Sequence, residues 1–353
     1  MNLSYCRSVD ISIWGRLKLG AFKIMNLYRR KIMDINYLLL LQNFREATGN
    51  IFTPFFYAIS EFAISFWPLA FFALVYWAYD KKTGFWFLLN TSGAFFLNGI
   101  LKLTACIYRP WIRDSRIVPA GNSLYSATGY SFPSGHSTCA GSFYGSIGVN
   151  QWKKRKWISV IAFVFAALTL FSRNYLGVHT PQDVLVGFFS TMILVFLNIY
   201  VADKMFDDAS ASKSEGGAKK INDIYFLIAG ILICIIAVVY INVKPYPLDY
   251  KDGVLVVDPV KMKPDTYSGI GWLLGFVIGW FIEKKCIHFE VKKQSKKQLS
   301  VAIAALAFFY FLYSFNFFLG FLPRSAWKFL ASLLSMIYIQ VLVPLVMKKI
   351  VTE

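Results

Sequence analysis

The chain is expected to be an all-α protein, a polytopic membrane helix bundle of about nine transmembrane helices. Its composition carries half of that expectation. With 57% hydrophobic and only 16% charged residues over 353 positions, it is too apolar for a soluble globule of this length, so lipid must be its main solvent. The pattern carries the other half. Apolar residues gather into blocks near the roughly 20 residues that cross a bilayer, and do not alternate with polar ones as barrel strands require.

Taken in order, residues 1–50 hold no spanning stretch. The segment with Arg29, Arg30 and Lys31 lacks the long apolar run of a cleavable signal peptide, and residues 34–44 are expected to lie as an interfacial helix. Spanning helices are expected at 54–79, 85–108, 134–150, 157–172, 181–202, 224–242, 267–283, 300–321 and 327–348. The strongest cytoplasmic marker is Lys153-Lys154-Arg155-Lys156. Lys81, Lys82, Lys284, Lys285, Lys292, Lys293, Lys296, Lys297, Lys348 and Lys349 fall on the same side. The amino terminus is then outside and the carboxyl terminus cytoplasmic. A basic leader would sit outside as well, a conflict that favours Met33 over Met1 as the start. Residues 203–223 have linker composition. The expected organisation is a 1–50 extension, a 51–202 catalytic core, a 203–223 cytoplasmic linker and a 224–353 four-helix region.

Thirty-seven Lys and Arg against nineteen Asp and Glu give a net charge of +18, which cytoplasmic loops and contact with anionic membrane lipids explain. Nucleic-acid binding would need that charge gathered into a soluble domain, and none is visible. Cys6, Cys106, Cys139, Cys234 and Cys286 are odd in number and show no CxxC spacing, so they read as small core residues.

Ionisable residues near a membrane helix are costly and therefore functional candidates. Lys102 and Arg109, seven apart, would project from one face of the second helix, with Pro110 placing Arg109 at its rim. Pro133-Ser134-Gly135-His136 opens the third helix, where free amides and the Ser134 hydroxyl suit an anion. Ser172-Arg173 precedes His179 by a short loop; Thr180 and Pro181 look like the cap and first residue of the fifth helix. Asp183 in its first turn can then reach back to the His179 ring and leave the other nitrogen free to attack. All four helix ends belong on one membrane face, so two histidines and three cations converge there as a phosphate pocket.

Lys102-x6-Arg109-Pro110, Pro133-Ser134-Gly135-His136 and Ser172-Arg173-x5-His179-x3-Asp183 together resemble the three-part signature of the type-2 phosphatidic acid phosphatase (PAP2) family. That resemblance implies His179 as nucleophile, Asp183 as its orienting partner, and His136 as the acid for the leaving oxygen. Lys102, Arg109, Ser134, Gly135 and Arg173 would hold the phosphate, with no cofactor and no metal. The substrate would be a lipid phosphate or diphosphate such as phosphatidate, phosphatidylglycerophosphate or undecaprenyl diphosphate, met on the extracytoplasmic face of a bacterial cell membrane. A soluble sugar phosphatase, a lipid phosphotransferase, a phosphate-recognising transporter and, more remotely, a haloperoxidase are the alternatives. The nine-helix layout is similar to the glucose-6-phosphatase branch. The four later helices are expected to widen the bundle or form a homo-oligomer face, with a substrate-channel or transport role as the alternative. Glu61 either pairs with a pocket cation or caps the membrane edge, Arg113, Asp114 and Arg116 read as solvated loop charges, and His288 is assigned nothing.

Overall fold

A break at Ser65 sets the shape of one side of the bundle. The expected single helix 54–79 is divided into α2 (Thr53–Ile64) and α3 (Phe66–Leu74, continued by a π-helical turn at Val75–Tyr79), bent by 45°. Proline explains it: Pro68 lacks an amide for the Ile64 carbonyl four residues back, and its ring would collide with that carbonyl. The chain is extended at Ser65, whose hydroxyl accepts from the Trp67 amide at 3.4 Å. Broken helix at membrane depth is tolerated where it lines a cavity, and residues 63–66 do line one.

The computed structural model describes residues 32–127, 129–206, 221–292, 295–314 and 322–352. Before the break lies α1 (Ile32–Ala47). After it come α4 (Lys81–Ala105), the single turns α5 (Pro110–Arg113) and α6 (Ser123–Ser126), and a composite helix. That helix consists of α7 (Gly135–Ala140), a π-helical turn and α8 (Ser146–Gln151). Then follow α9 (Lys156–Tyr175), α10 (Pro181–Phe206), α11 (Asp223–Val243), α12 (Lys263–Ile282), α13 (Lys296–Ser314), α14 (Arg324–Ile337) and α15 (Val343–Thr352). A two-residue hairpin, Tyr250–Lys251 with Val254–Leu255, turns at Asp252-Gly253, both at positive φ as a type I′ turn requires.

The all-α membrane bundle is confirmed, but the count of nine spans is not. Among the described residues, five helical segments are long and apolar enough to cross a membrane, or six if the bent pair counts as one. The 135–151 helix is short, and α12 carries Gly269, Gly271, Gly275 and Gly279 with Thr266 and Ser268 where other spans have aliphatic residues. The expected eighth helix is described only as far as Ser314, and the basic leader, Cys6 and most of the expected linker also lie outside the described residues.

The glycines of α12 have a packing purpose. A Cβ on Gly269 would stand 2.6 Å from the Phe95 carbonyl oxygen of α4, and one on Gly271 only 2.3 Å from the Phe329 carbonyl oxygen of α14. Small residues let membrane helices touch backbone to backbone, where lipid gives no hydrophobic drive for association. Thr266 Oγ1 donates to the Gly99 carbonyl at 3.1 Å, so the start of α12 lies beside the end of α4. At the far end Lys81 Nζ pairs with the buried Glu283 carboxylate at 2.6 Å, which also accepts from the Phe289 amide. The later helices are thus clamped to the front ones at both membrane faces. Replacing Gly269 by leucine is expected to cost about 1–3 kcal/mol through overpacking and to lower the thermal midpoint of detergent-purified protein; an unchanged midpoint would contradict this packing account.

Polar side chains bind α4 to its other neighbours. Asn90 Nδ2 donates to Ser146 Oγ at 2.9 Å, Asn198 Nδ2 donates to Asn90 Oδ1 at 2.9 Å, and the Thr91 and Ser142 hydroxyls meet at 3.0 Å. Meanwhile α1 is held over the site-bearing end. Arg45 donates to the Tyr175 and Val118 carbonyls at 3.0 and 2.7 Å, and the buried Asp34 carboxylate takes Arg113 at 2.9 Å. Arg113 is therefore no solvated loop charge. Asp114 and Arg116 do pair with each other in the exposed loop, and the bond to Arg116 holds the Asp114 carboxyl down at about 2.

Candidate active site

The helix ends named by the signature do converge, though by a different route for Arg109 than helical periodicity suggests. Cys106 adopts the left-handed conformation and ends α4, its amide bonding the Lys102 carbonyl at 3.0 Å. Arg109 lies beyond that, extended ahead of α5, where Pro110 excludes helix. Lys102 and Arg109 line one cavity because the chain turns back, not because they share a helical face.

His179 lies in the tight link between α9 and α10. Gly177 at φ +72° reverses the chain, and Asn174 Nδ2 fixes the His179 carbonyl at 2.9 Å. Thr180 caps α10 as its pattern implied: the Thr180 amide donates to Asp183 Oδ2 at 2.8 Å, and the Asp183 amide donates to Thr180 Oγ1 at 3.4 Å. This reciprocal cap locks the carboxylate one helical turn from the histidine.

The imidazole is held from both sides. Arg109 Nη1 stands 2.8 Å from Nε2 and also donates to the Val178 carbonyl at 3.0 Å. A guanidinium can only donate, so Nε2 presents its lone pair and the neutral ring carries its proton on Nδ1. Nδ1 lies 3.5 Å from Asp183 Oδ2 and 3.3 Å from Ser131 Oγ, while that hydroxyl donates to Asp183 Oδ2 at 2.5 Å. Ser131 therefore bridges ring and carboxylate: it accepts from Nδ1 and passes its own proton to Asp183. Burial, reinforced by Arg109, Arg173 and Lys102, lowers the His179 pKa well below the ordinary imidazole value, which keeps the ring neutral at pH 7.

The remaining signature residues divide into wall and support. Lys102, Arg109, Gly135, His136 and His179 line the cavity. Ser134, Arg173 and Asp183 are fully buried behind it. Ser134 caps α7, accepting from the Ser137 amide at 3.3 Å, and its own amide donates to the Asp183 carbonyl at 2.9 Å. Close approach of α10 makes this contact, since a Cβ on Gly187 would stand 2.6 Å from the Ser134 carbonyl oxygen. Arg173 Nη1 donates to Ser60 at 2.6 Å, whereas its Nε and Nη2 have no hydrogen-bond partner among the described residues. Buried guanidinium donors without partners are costly unless an anion is to meet them. His136 Nε2 stands 3.4 Å from Glu61 Oε1.

Residues 83–206 match the PAP2 superfamily. The PAP2 segment encloses the whole signature, from Lys102 to Asp183, and leaves out α1 to α3 and α11 to α15. The chain is similar to a phosphatidylglycerophosphatase B of Bacillus subtilis, 37% identical over 106 residues that make up 28% of this chain and 51% of that protein. It is also similar to an undecaprenyl-diphosphatase of Sulfolobus acidocaldarius, 26% identical over 121 residues, 34% of this chain and 56% of that one. The chain thus spans about half the length of these relatives. No solved structure matches it. The glucose-6-phosphatase-like layout finds no support in these likenesses.

Several residues around the PAP2 site were not singled out from sequence. Ser131 carried no signal, being one serine in a loop. Asn98 did carry one: it precedes Lys102 by one helical turn on α4, and it donates to Thr138 Oγ1 at 2.9 Å, tying α4 to α7. Ser60 and Asn174 are visible only through the contacts they make.

Proposed function

We propose that this chain is a membrane phosphatase that removes phosphate from a lipid phosphate or diphosphate through a phosphohistidine at His179. The observation that carries the reading is the placement of His179: a neutral ring, Nδ1 tied to Asp183 through Ser131, and a lone pair on Nε2 in a cavity that Lys102 and Arg109 also line.

In the proposed cycle, phosphate oxygens draw Arg109 away from Nε2 and bind it together with Lys102 and Arg173, while Ser134 and Gly135 form the helix end beside them. Nε2 attacks phosphorus, the phosphorus–oxygen bond breaks, and His136 gives its proton to the departing oxygen. Water then attacks the phosphohistidine, His136 takes a water proton, and the phosphorus–nitrogen bond breaks to free inorganic phosphate. Asp183 and Ser131 stabilise the positive charge that His179 gains in the first step. Three cations supply the charge neutralisation that a metal ion supplies elsewhere. The catalytic core is placed at 51–202. Lys153 to Lys156 lie at the opposite end of α9 from Arg173, which supports a site on the extracytoplasmic face and a carboxyl terminus in the cytoplasm.

The test is phosphate release by purified full-length protein from phosphatidate, phosphatidylglycerophosphate, undecaprenyl diphosphate and a soluble sugar phosphate, each with and without EDTA. Release from at least one lipid, changed less than about twofold by EDTA, is expected. Release from the sugar phosphate alone would defeat the lipid assignment, and loss of activity to the chelator would defeat the metal-free mechanism.

A further inference from the structure

The cavity that holds His179 does not end with the PAP2 segment. Its volume of about 530 Å³ runs from the phosphate-binding residues to a wall built by α12 and α14. Six residues of that wall matter here: Asp265, Ser268, Trp272, Trp327, Lys328 and Ser332. They lie outside the matched segment, yet the glycine contacts and the Thr266 bond press α12 directly against α4 beside Lys102. α4 approaches this face with its carboxyl end and α12 leaves it with its amino end, so Asp265 in the first turn of α12 is level with the site.

The chemistry of this wall differs from that of the phosphate end. Asp265 and Lys328 pair with each other, so their charges cancel. A second phosphate would find no net positive charge there, unlike at Lys102, Arg109 and Arg173. The Ser268 and Ser332 hydroxyls meet at 2.6 Å. One donates to the other, and the proton of the second has no partner among the described residues. Two indoles, Trp272 and Trp327, complete the wall. A neutral, hydrogen-bonding surface with aromatic faces suits a neutral group rich in hydroxyls, whose C–H faces pack on indole while its O–H groups exchange bonds with serine.

We propose that α12 and α14 form a subsite for a neutral polyol adjoining the scissile phosphate, so that the preferred substrate is a phosphate monoester of a hydroxyl-bearing alcohol. This rests on the phosphatase reading above and narrows its substrate. The polyol is a glycerol within a lipid or a soluble glycerol or sugar phosphate; both present the same chemistry to the wall.

The experiment compares kcat and KM for phosphatidylglycerophosphate, which has a free glycerol hydroxyl beside its terminal phosphate, with phosphatidate of the same acyl chains, which has none. Glycerol 3-phosphate is the soluble arm. Wild-type protein and the Ser268→Ala/Ser332→Ala double variant are assayed in parallel, with His179→Ala as control. Wild type is expected to favour a hydroxyl-bearing substrate over phosphatidate by at least about tenfold in kcat/KM. The double variant should raise KM for that substrate roughly tenfold, from two lost hydrogen bonds, with kcat and phosphatidate hydrolysis within about twofold. Whichever hydroxyl-bearing substrate shows this pattern identifies the source of the polyol. Equal or better use of phosphatidate by wild type overturns the proposal without any variant. So does a double variant that folds, judged by its phosphatidate turnover, and keeps its KM for the polyol ester. No phosphate release by wild type from any of the three substrates would instead defeat the phosphatase reading itself, and release surviving in His179→Ala would defeat its nucleophile.

Discussion

Replacing His179 by alanine is expected to lower phosphate release by about 10⁴-fold or more while leaving the fold and most of the affinity for inorganic phosphate in place. The asymmetry follows from where the binding energy resides. Lys102, Arg109 and Arg173 remain in the variant, and Arg109 keeps its bond to the Val178 carbonyl, so the anion site keeps its charge. What is lost is Nε2, the one atom of the protein that bonds to phosphorus in the proposed cycle. Stopped turnover with preserved phosphate binding, measured by calorimetry on the same sample, is the expected pair of results. A phosphate-recognising transporter predicts instead that its transport survives in the variant and that wild type releases no phosphate; substantial residual phosphate release in the variant would exclude His179 as the nucleophile.

Asp183→Asn should come next, with a loss of about 10²–10⁴ in kcat and a change in KM of less than about threefold. The carboxylate accepts the Thr180 amide, the Ser131 hydroxyl and, through Ser131, the Nδ1 proton. An asparagine in the same space can turn its amide N–H toward this chain. Ser131 then no longer accepts from Nδ1, the ring takes the other tautomer, and its proton sits on Nε2, where the lone pair is needed. The variant also lacks the charge that offsets the imidazolium-like phosphohistidine. An N–H at the Oδ2 position can no longer accept the Thr180 amide, but the backbone amide of residue 183 still donates to Thr180 Oγ1, so the cap survives in part and stability should fall less than activity. A KM that rises with kcat unchanged would show that Asp183 serves binding and not the reactivity of His179.

Much of this site is legible in the sequence because its parts are tied to helix ends. Proline at 110, 133 and 181 marks where helices begin, and Thr180 with Asp183 spells out a reciprocal cap, so the neighbourhood of His179 to Asp183 follows from local geometry alone. The apolar blocks likewise determine an all-α membrane bundle, since a bilayer leaves no other way to satisfy the backbone of such segments. Other features depended on long-range contact. Pro68 is plain in the sequence, but an apolar run of that length reads as continuous, and only the cavity beside it makes the break at Ser65 tolerable. The helical-face argument for Lys102 and Arg109 did not hold because Cys106 ends the helix early.

By itself the sequence determined the solvent, the helical class and the set of side chains proposed to bind phosphate, because composition, period and capping act over a few neighbouring residues. The tertiary structure alone decided that Ser131 stands between His179 and Asp183, 48 and 52 positions away from it. It also decided that helices beyond Asp223 wall the same cavity. Glycine in α12 permits close packing with any neighbour, and which neighbour it meets is settled only when Gly269 and Gly271 press against the backbones of α4 and α14.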